Sequence, residues 1–343
     1  MARRFRIPLL AVGFVVAAAG GVYAWWWHHV AAEIERGLPQ VIGPLRAEGI
    51  AVDYARLQVA GFPLEFRLDF AQPAVARRGM APDLTWRGDR LVAAARPWRL
   101  AEWALTVDRP SHVAAEMGAE RWAGTVARAD GTLRFGAAGG DVMMTARDVV
   151  GSDADPLRIS ELRLRLAPDP GRTNATAIAV AAERMTLPAR AGTALGRDVE
   201  ALSAEGTLVE RVPRGPVAAS LEAWRAAGGI VDVHRLSLRW GPLQATGNAT
   251  LALDRELQPL LAGTAVAKGY GEVVERLAAT GVLGWREAMA TRIVLAALAV
   301  PSGDGGGSEL RLQFAVQDGQ LTAGAVGGQP RRLVAVPRIR WPE

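Results

Sequence analysis

The stretch LRISELRLRLAPD, Leu157 to Asp169, sets Leu162, Leu164 and Leu166 against Arg163 and Arg165. Successive side chains of a strand point to opposite faces. This spacing therefore predicts a strand with one apolar and one charged face. The same period of two recurs on both sides. In IAVDYARLQVAGFPLEFRLDF, Ile50, Val52 and Tyr54 alternate, then Leu64, Phe66, Leu68 and Phe70, with a corner at Gly61–Pro63. WAGTVARADGTLRF carries an Asp130-Gly131 turn signal between short strand-like pieces. Turn residues recur along the chain to about residue 215, which predicts a meander of antiparallel strands and not βαβ units.

Beyond that point the pattern changes and then returns. GPVAASLEAWRAAGG, from Gly215, reads as a short helix ended by Gly228-Gly229. Leu236, Leu238 and Trp240 then share one strand face; after a Gly241-Pro242 turn, Leu243, Ala245, Ala249, Leu251 and Leu253 share one face of the return strand. GEVVERLAATG, from Gly271, and WREAMATRIVLAALAV, Trp285 to Val300, predict two helices. The second is apolar enough for a buried helix that covers a sheet face, but Arg286, Glu287 and Arg292 leave too short an uncharged run to span a membrane. A last strand pair, with Leu310, Leu312 and Phe314 alternating, turns on Asp318-Gly319. Gly131, Gly206 and Gly247 each open a similar G-x-L/T-x-L strand start, a hint of degenerate repetition.

The N-terminus reads differently. Arg3, Arg4 and Arg6 precede an uncharged span from Ile7 to Trp27, about the length a helix needs to cross the hydrocarbon core. The arginine placement predicts a cytoplasmic N-terminus with the bulk of the chain outside, in the periplasm. Tyr23, Trp25, Trp26, Trp27 and His28 fall where an interfacial aromatic belt with a polar rim would lie. The alternative is a removed signal: Val22-Tyr23-Ala24 loosely fits a small-x-Ala cleavage site, which would leave a soluble periplasmic protein. From Val30 an amphipathic helix, divided or kinked at Pro39 and Pro44, leads to the first strand. The expected organisation is an anchor over residues 1–29, a membrane-proximal helix with a first β-rich unit over 30–215, and a second β-rich unit with covering helices over 216–343.

Composition narrows the function classes. Of 343 residues, 50% are hydrophobic and 22% charged, so a substantial core is expected. The excess of 40 Lys+Arg over 35 Asp+Glu is only +5, and the first six residues hold three of the positive charges. That balance does not imply a nucleic-acid partner. There is no cysteine, which excludes disulfides, thiolate metal sites, cysteine nucleophiles and an acylated N-terminal cysteine. No phosphate-cradling loop, H-E-x-x-H, G-x-S-x-G or dinucleotide fingerprint occurs. His112 and His234 stand apart from other ligand-type residues, and Asp153 with Asp155 lacks calcium-loop spacing. Trp86, Trp98 and Trp103, with arginines between them, read as core tryptophans backed by a charged face, or as a patch stacking guanidinium on indole at a ligand or membrane surface. No catalytic residue, cofactor or metal is expected.

Four segments carry a resemblance. AGFPLEFRLDFAQPAV, LTWRGDRLVAAARPWRLAEW, GPLQATGNATLALD with LQPLLAGTAVAKGY, and VQDGQLTAG are similar to an alphaproteobacterial envelope family known as domain of unknown function 2125 and described as lipoproteins. The absent cysteine departs from that label. More loosely, the anchor, the glycine-punctuated strands and the LQATGNATL hairpin resemble AsmA-like proteins, whose β-rich periplasmic regions curl into a lipid-carrying groove. These likenesses imply a mainly β protein with a few helices: an N-terminal transmembrane helix, then antiparallel curved sheets forming an AsmA-like groove or a sandwich. The function expected is non-enzymatic binding or shielding of lipid acyl chains. The expected groove residues are Leu236, Leu238, Trp240, Leu251, Leu253, Leu310, Leu312 and Phe314. Membrane lipid, including bound phospholipid, is the expected partner. An anchored scaffold for an envelope protein is the alternative.

Overall fold

The computed structural model describes residues 6–47, 49–78, 83–117, 120–136, 139–189, 194–213, 215–302, 308–325, 331–335, 338–339 and 341. Side chains of the first helix are described from Ala18, apart from those of residues 41 and 47. Arg3, Arg4 and the side chains of the run Ile7–Ala17, on which the membrane-span expectation rests, lie outside the described residues. Among those described, no helix is long and apolar enough to cross a membrane.

Among the described residues, twenty strands join in one antiparallel sheet. Its pivot is β9 (Glu120–Gly136), paired along one edge with β10 (Gly139–Gly151). The other edge of β9 forks. Its first half pairs with β8 (Ser111–Met117), which leads through β5 (Asp83–Gly88) and β4 (Ala74–Arg77) to β1 (Ile50–Asp53). Its second half pairs with β7 (Glu102–Val107), then β6 (Arg90–Ala95), β3 (Phe66–Ala71) and β2 (Arg56–Ala60). From β10 the meander continues through β11 (Arg158–Pro168), β12 (Ala175–Thr186), β13 (Asp198–Val209), β14 (Ile230–Trp240), β15 (Leu243–Leu253) and β16 (Pro259–Lys268). Then follow β18 (Ser308–Gln317), β19 (Gln320–Ala325) and β20 (Arg331–Ala335), with short β17 (Ala299–Pro301) against the start of β18. The sheet is curved and does not close on itself.

One turn reading differs from the structure and another agrees. Asp130-Gly131 is not a turn but the middle of the 17-residue strand β9. Asp130 pairs across to Arg147 at 2.6 Å on one face. On the other face, a Cβ at Gly131 would lie 2.9 Å from the Met143 carbonyl oxygen, so the glycine serves a bend and not a reversal. Asp318-Gly319 does reverse the chain, with φ of 51° and 66° as a two-residue hairpin turn requires. The expected divide near residue 215 falls between β13 and β14, which are hydrogen-bonded neighbours from Ala201–Arg239 to Val209–Ile230.

Helix α1 (Arg6–Ala47) runs unbroken through Pro39 and Pro44. Each proline removes one backbone donor, but the chain is held on both sides of them. Upstream, Val30 and Ile34 pack on the sheet, and downstream Arg46 pairs with Asp53 at 2.8 Å. Helix α2 (Val217–Ala226) ends at Gly228, whose φ is 81°. Its Trp224 is buried and donates to the carbonyls of Val209 and Glu210 at 3.0 and 3.2 Å. Helices α3 (Tyr270–Ala279) and α4 (Trp285–Leu298) sit at the other end of β14, beside Gly241 and Ser308. The reading of α4 as a buried cover is corrected: Trp285 is 72% and Ile293 64% exposed. The helix docks mainly on α3, through buried Ala288 and an Arg292–Glu275 pair at 3.1 Å, so most of its apolar side chains have no wall to meet.

Candidate functional site: a continuous apolar sheet face

Directly paired residues of antiparallel strands point to the same face. Following the register from strand to strand therefore traces a row across the sheet. One such row runs Val59, Leu68, Ala93, Leu105, Gly131, Met144, Leu164, Val180, Ala204, Leu236, Gly247, Ala265, Leu312. It crosses from β2 to β18 without one polar side chain. The next row, on the opposite face, includes Asp69, Thr106, Asp130, Thr145, Arg163, Ser203 and Thr246. That outer face is laced by cross-strand ion pairs: Arg134–Glu102 at 3.0 Å, Arg165–Asp141 at 3.2 Å, Arg163–Glu183 at 3.0 Å and Arg235–Glu205 at 3.1 Å. Arg90 also holds Asp69 there and keeps its carboxyl below the usual carboxylate range, chiefly through their hydrogen bonds.

The apolar face curves inward. At Gly206, Gly247 and Gly263 an added Cβ would lie 2.6, 2.4 and 2.3 Å from a carbonyl oxygen of the neighbouring strand. All three belong to the apolar face by register. The backbone next door is therefore bent toward that side, which only a residue without a side chain allows.

Part of the face is covered. Trp27, Ala31, Val30 and Ile34 of α1 pack on Phe66, Leu68, Ala93 and Leu105 of the β2–β3–β6–β7 wing. The two wings also pack together around Val107, Val126, Ala129 and Val149, with Trp86 and Trp122 beside them. Across β10 to β14 the cover stops. Val180, Leu202 and Leu236 are 37%, 40% and 38% exposed although their register points them inward. Soluble monomers rarely leave contiguous apolar surface open in this way.

All eight expected groove residues lie on this one face: Leu236, Leu238 and Trp240 of β14, Leu251 and Leu253 of β15, Leu310, Leu312 and Phe314 of β18. They are not equally accessible. Leu310 is buried, Leu236 exposed, and Trp240 packs toward Ala182, Met185 and Val199 while donating to the Gly196 carbonyl at 3.2 Å. The alternation in β10 to β13 carried the same signal and places Met144, Leu164, Val180 and Leu202 on the face as well.

The aromatics expected at a membrane interface fall into different environments. Trp27 is 3% exposed and stacks on Phe66 with ring centres 5.0 Å apart. Trp26 also leans on Phe66, and the Tyr23 hydroxyl donates to the Pro63 carbonyl at 2.5 Å. Trp25 points outward and stacks on His29, while His28 stacks on Phe62. Trp86 and Trp103 are core residues and Trp98 is exposed, so the tryptophan trio splits too. Trp98 belongs to a rim that separate sequence segments build. Phe62 and Leu64 on the β2–β3 turn, Trp98 and Leu100 on the β6–β7 turn, and Phe135 at the end of β9 are all exposed. The Phe66–Ala95 pairing and the Phe135 N–H bond to Ala101, 2.8 Å, join the three turns at one end of the sheet. Val22 and Trp25 of α1 are exposed beside it, and the Tyr23 and Phe62 rings lie 6.2 Å apart.

At this same end, strands β10 to β13 surround a cavity of about 1320 Å³. Leu166, Pro168 and Leu208 continue the apolar face into it, and Arg78, Arg172 and Arg211 line its polar side. Asp169, also in the wall, accepts from Gly171 N–H at 2.8 Å, Arg172 N–H at 3.1 Å and Thr207 Oγ1 at 2.9 Å. The bond from Gly171, then that from Thr207, hold its carboxyl below the usual range. Among the described residues no group of three or more His, Asp or Glu is placed to hold a metal ion.

The fold and this face define a class: a single antiparallel sheet, charged outside and apolar on its concave side, with one helix covering part of the concave side. Residues 27–329 match the model of a family described as uncharacterized protein conserved in bacteria, domain of unknown function 2125, and the chain belongs to that family. The match begins at Trp27, the first buried side chain among those described in α1, and reaches past β19. No curated protein and no solved structure matches the chain.

Proposed function

We propose that this is a membrane-anchored periplasmic protein that binds or shields lipid acyl chains along the concave apolar face, without catalysing a reaction on them. The observation that carries the reading is the uninterrupted apolar row from Val59 to Leu312, open across β10 to β14. Covering one Leu or Val side chain is worth about 1.5–3 kcal/mol, so leaving many in water is unfavourable unless something occupies the face. An acyl chain matches it well: it is apolar, flexible and makes no demand for hydrogen bonds. The Ile7–Trp27 run supports the anchor. The exposed rim of Phe62, Leu64, Trp98 and Phe135 beside Val22 and Trp25 supports a membrane-facing end, since aromatic side chains favour the bilayer interface. The likeness to AsmA-like proteins points the same way.

The test is extraction of the full chain in mild detergent followed by mass spectrometry of what co-purifies. Phospholipid should be present at near-stoichiometric level. Val180→Glu combined with Leu202→Glu should lower it several-fold while the circular dichroism spectrum stays unchanged. Protein that is lipid-free, and that on crosslinking in cells recovers one envelope protein, would replace this reading with that of a scaffold.

A further inference from the structure

The apolar face leads into a charged mouth, and the chemistry of that mouth selects among lipids. We propose that the cavity at the ends of β10 to β13 holds the anionic headgroup of a phospholipid, with Arg78 and Arg211 as its ligands. This rests on the acyl-chain reading above and adds to it the class of lipid.

Three observations carry it. First, the cavity is amphipathic in the right order. Leu166 and Leu208 belong by register to the concave face, paired to Val142 and Ile178 and to Thr176 and Val231, so the apolar strip runs directly into the cavity. Second, two of the four arginines at its wall, Arg78 and Arg211, are available. On the outer face Arg134, Arg163 and Arg165 are paired to carboxylates across strands, and in the cavity wall Arg172 is paired to Asp232 at 3.4 Å. The Arg78 and Arg211 side chains have no carboxylate partner among the described residues, and both are exposed to the cavity opening. A guanidinium presents a planar fork of donors that matches two phosphate oxygens. Third, the carboxylate in the wall does not cancel them. Asp169 directs its oxygens at Gly171, Arg172 and Thr207, so its charge is satisfied within the protein. At about 1320 Å³ the space exceeds the roughly 300–1,000 Å³ typical of small-molecule sites. It has room for a headgroup with the first part of its acyl chains.

The mouth lies at the end of the sheet that carries the aromatic rim: Gly140, in the cavity wall, is the β-partner of Phe135, in the rim. A lipid leaving a bilayer at that rim would meet the arginines and the apolar strip together.

The experiment uses the full chain in mild detergent and two fluorescent probes with identical acyl chains, phosphatidylglycerol and phosphatidylcholine. Wild-type protein should retain the phosphatidylglycerol probe about tenfold better than the phosphatidylcholine probe. Arg78→Gln with Arg211→Gln should erase that preference and leave phosphatidylcholine retention at the wild-type level. If the double variant fails to fold, each single variant should reduce the preference in part. Equal retention of the two probes by wild type, or an undiminished preference in folded variants, overturns the headgroup assignment and leaves the acyl-chain reading standing. Retention of neither probe overturns the acyl-chain reading and this inference with it. Glycerol phosphate, which has the charge without the chains, should not displace the phosphatidylglycerol probe at millimolar concentration; displacement would make the cavity a small-anion site and overturn the lipid assignment.

Discussion

Three consecutive tryptophans occupy three environments. On α1, Tyr23, Trp27, Val30 and Ile34 recur at helical spacing and meet the sheet, whereas Trp25 and His29 fall on the far side and stack on each other at 5.4 Å. Helical period separates Trp25 from Trp27, but only the position of Phe66 decides which of the two is buried. Trp27→Ala should therefore cost about 3–5 kcal/mol in urea unfolding, and Trp25→Ala should stay within about 0.5 kcal/mol. The Trp27 indole N–H has no hydrogen-bond partner among the described residues. Trp27→Phe removes an unpaired donor along with some volume, so its cost should fall well short of the alanine variant. Equal unfolding midpoints for the two alanine variants would place Trp27 outside the core.

At the scale of the element, glycine carries most of the information that alternation lacks. Gly131, Gly206 and Gly247 open similar strand motifs, and each sits on the concave face with a neighbouring carbonyl close beneath it. Their resemblance to one another thus has a geometric reason, namely the same bend made repeatedly. The Asp130-Gly131 pair looks like a hairpin turn because both residue types favour turns. Strand continuity wins there because β7 and β10 pair with β9 on both edges through that point. Gly247→Val would drive a Cβ to 2.4 Å from the Thr264 carbonyl oxygen. It should destabilise the protein by about 1–3 kcal/mol, measured by denaturant unfolding. Gly136→Ala, whose Cβ would meet nothing closer than 3.6 Å, should be nearly neutral. Helix α4 shows the opposite limit of local reading. Its apolar composition suggests burial, yet burial depends on a partner wall, and its fit to α3 leaves Trp285 and Ile293 in the open.

Across the whole molecule, charge and apolarity are separated by the sheet itself, and carboxylates held by local hydrogen bonds make stability depend on pH in one direction. Asp69, Asp169 and Glu222 all have carboxyls held below their ordinary range by hydrogen bonds, from Arg90, from Gly171 and Thr207, and from Arg225 respectively. A carboxyl with a depressed folded-state pKa stabilises the fold above its unfolded value, about 4. That stabilisation is lost as the pH falls through the lower folded values. The unfolding temperature should be flat from pH 8 to about 5 and drop below about 4. Asp69→Asn should make the acid drop shallower and lower the neutral-pH value slightly, since its pair with Arg90 is part-exposed and worth about 1 kcal/mol or less. A steeper acid drop in the variant would contradict the assignment.

What the sequence by itself determined is the strand period and the identity of each face, because alternation in a strand is a local property that needs no partner. Leu162, Leu164 and Leu166 against Arg163 and Arg165 already separate the inner face from the outer, and the eight expected groove leucines and aromatics fall on one side for the same reason. What only the tertiary structure decided is non-local. The fork of β9 into two wings, the cover that α1 gives one wing and not β10 to β14, and the placing of Arg78 and Arg211 in the wall of one cavity all depend on which strands pair. Pairing is a competition among many apolar strands of similar pattern. Its outcome is set by register, bends and packing over the whole sheet, and not by any one stretch of chain.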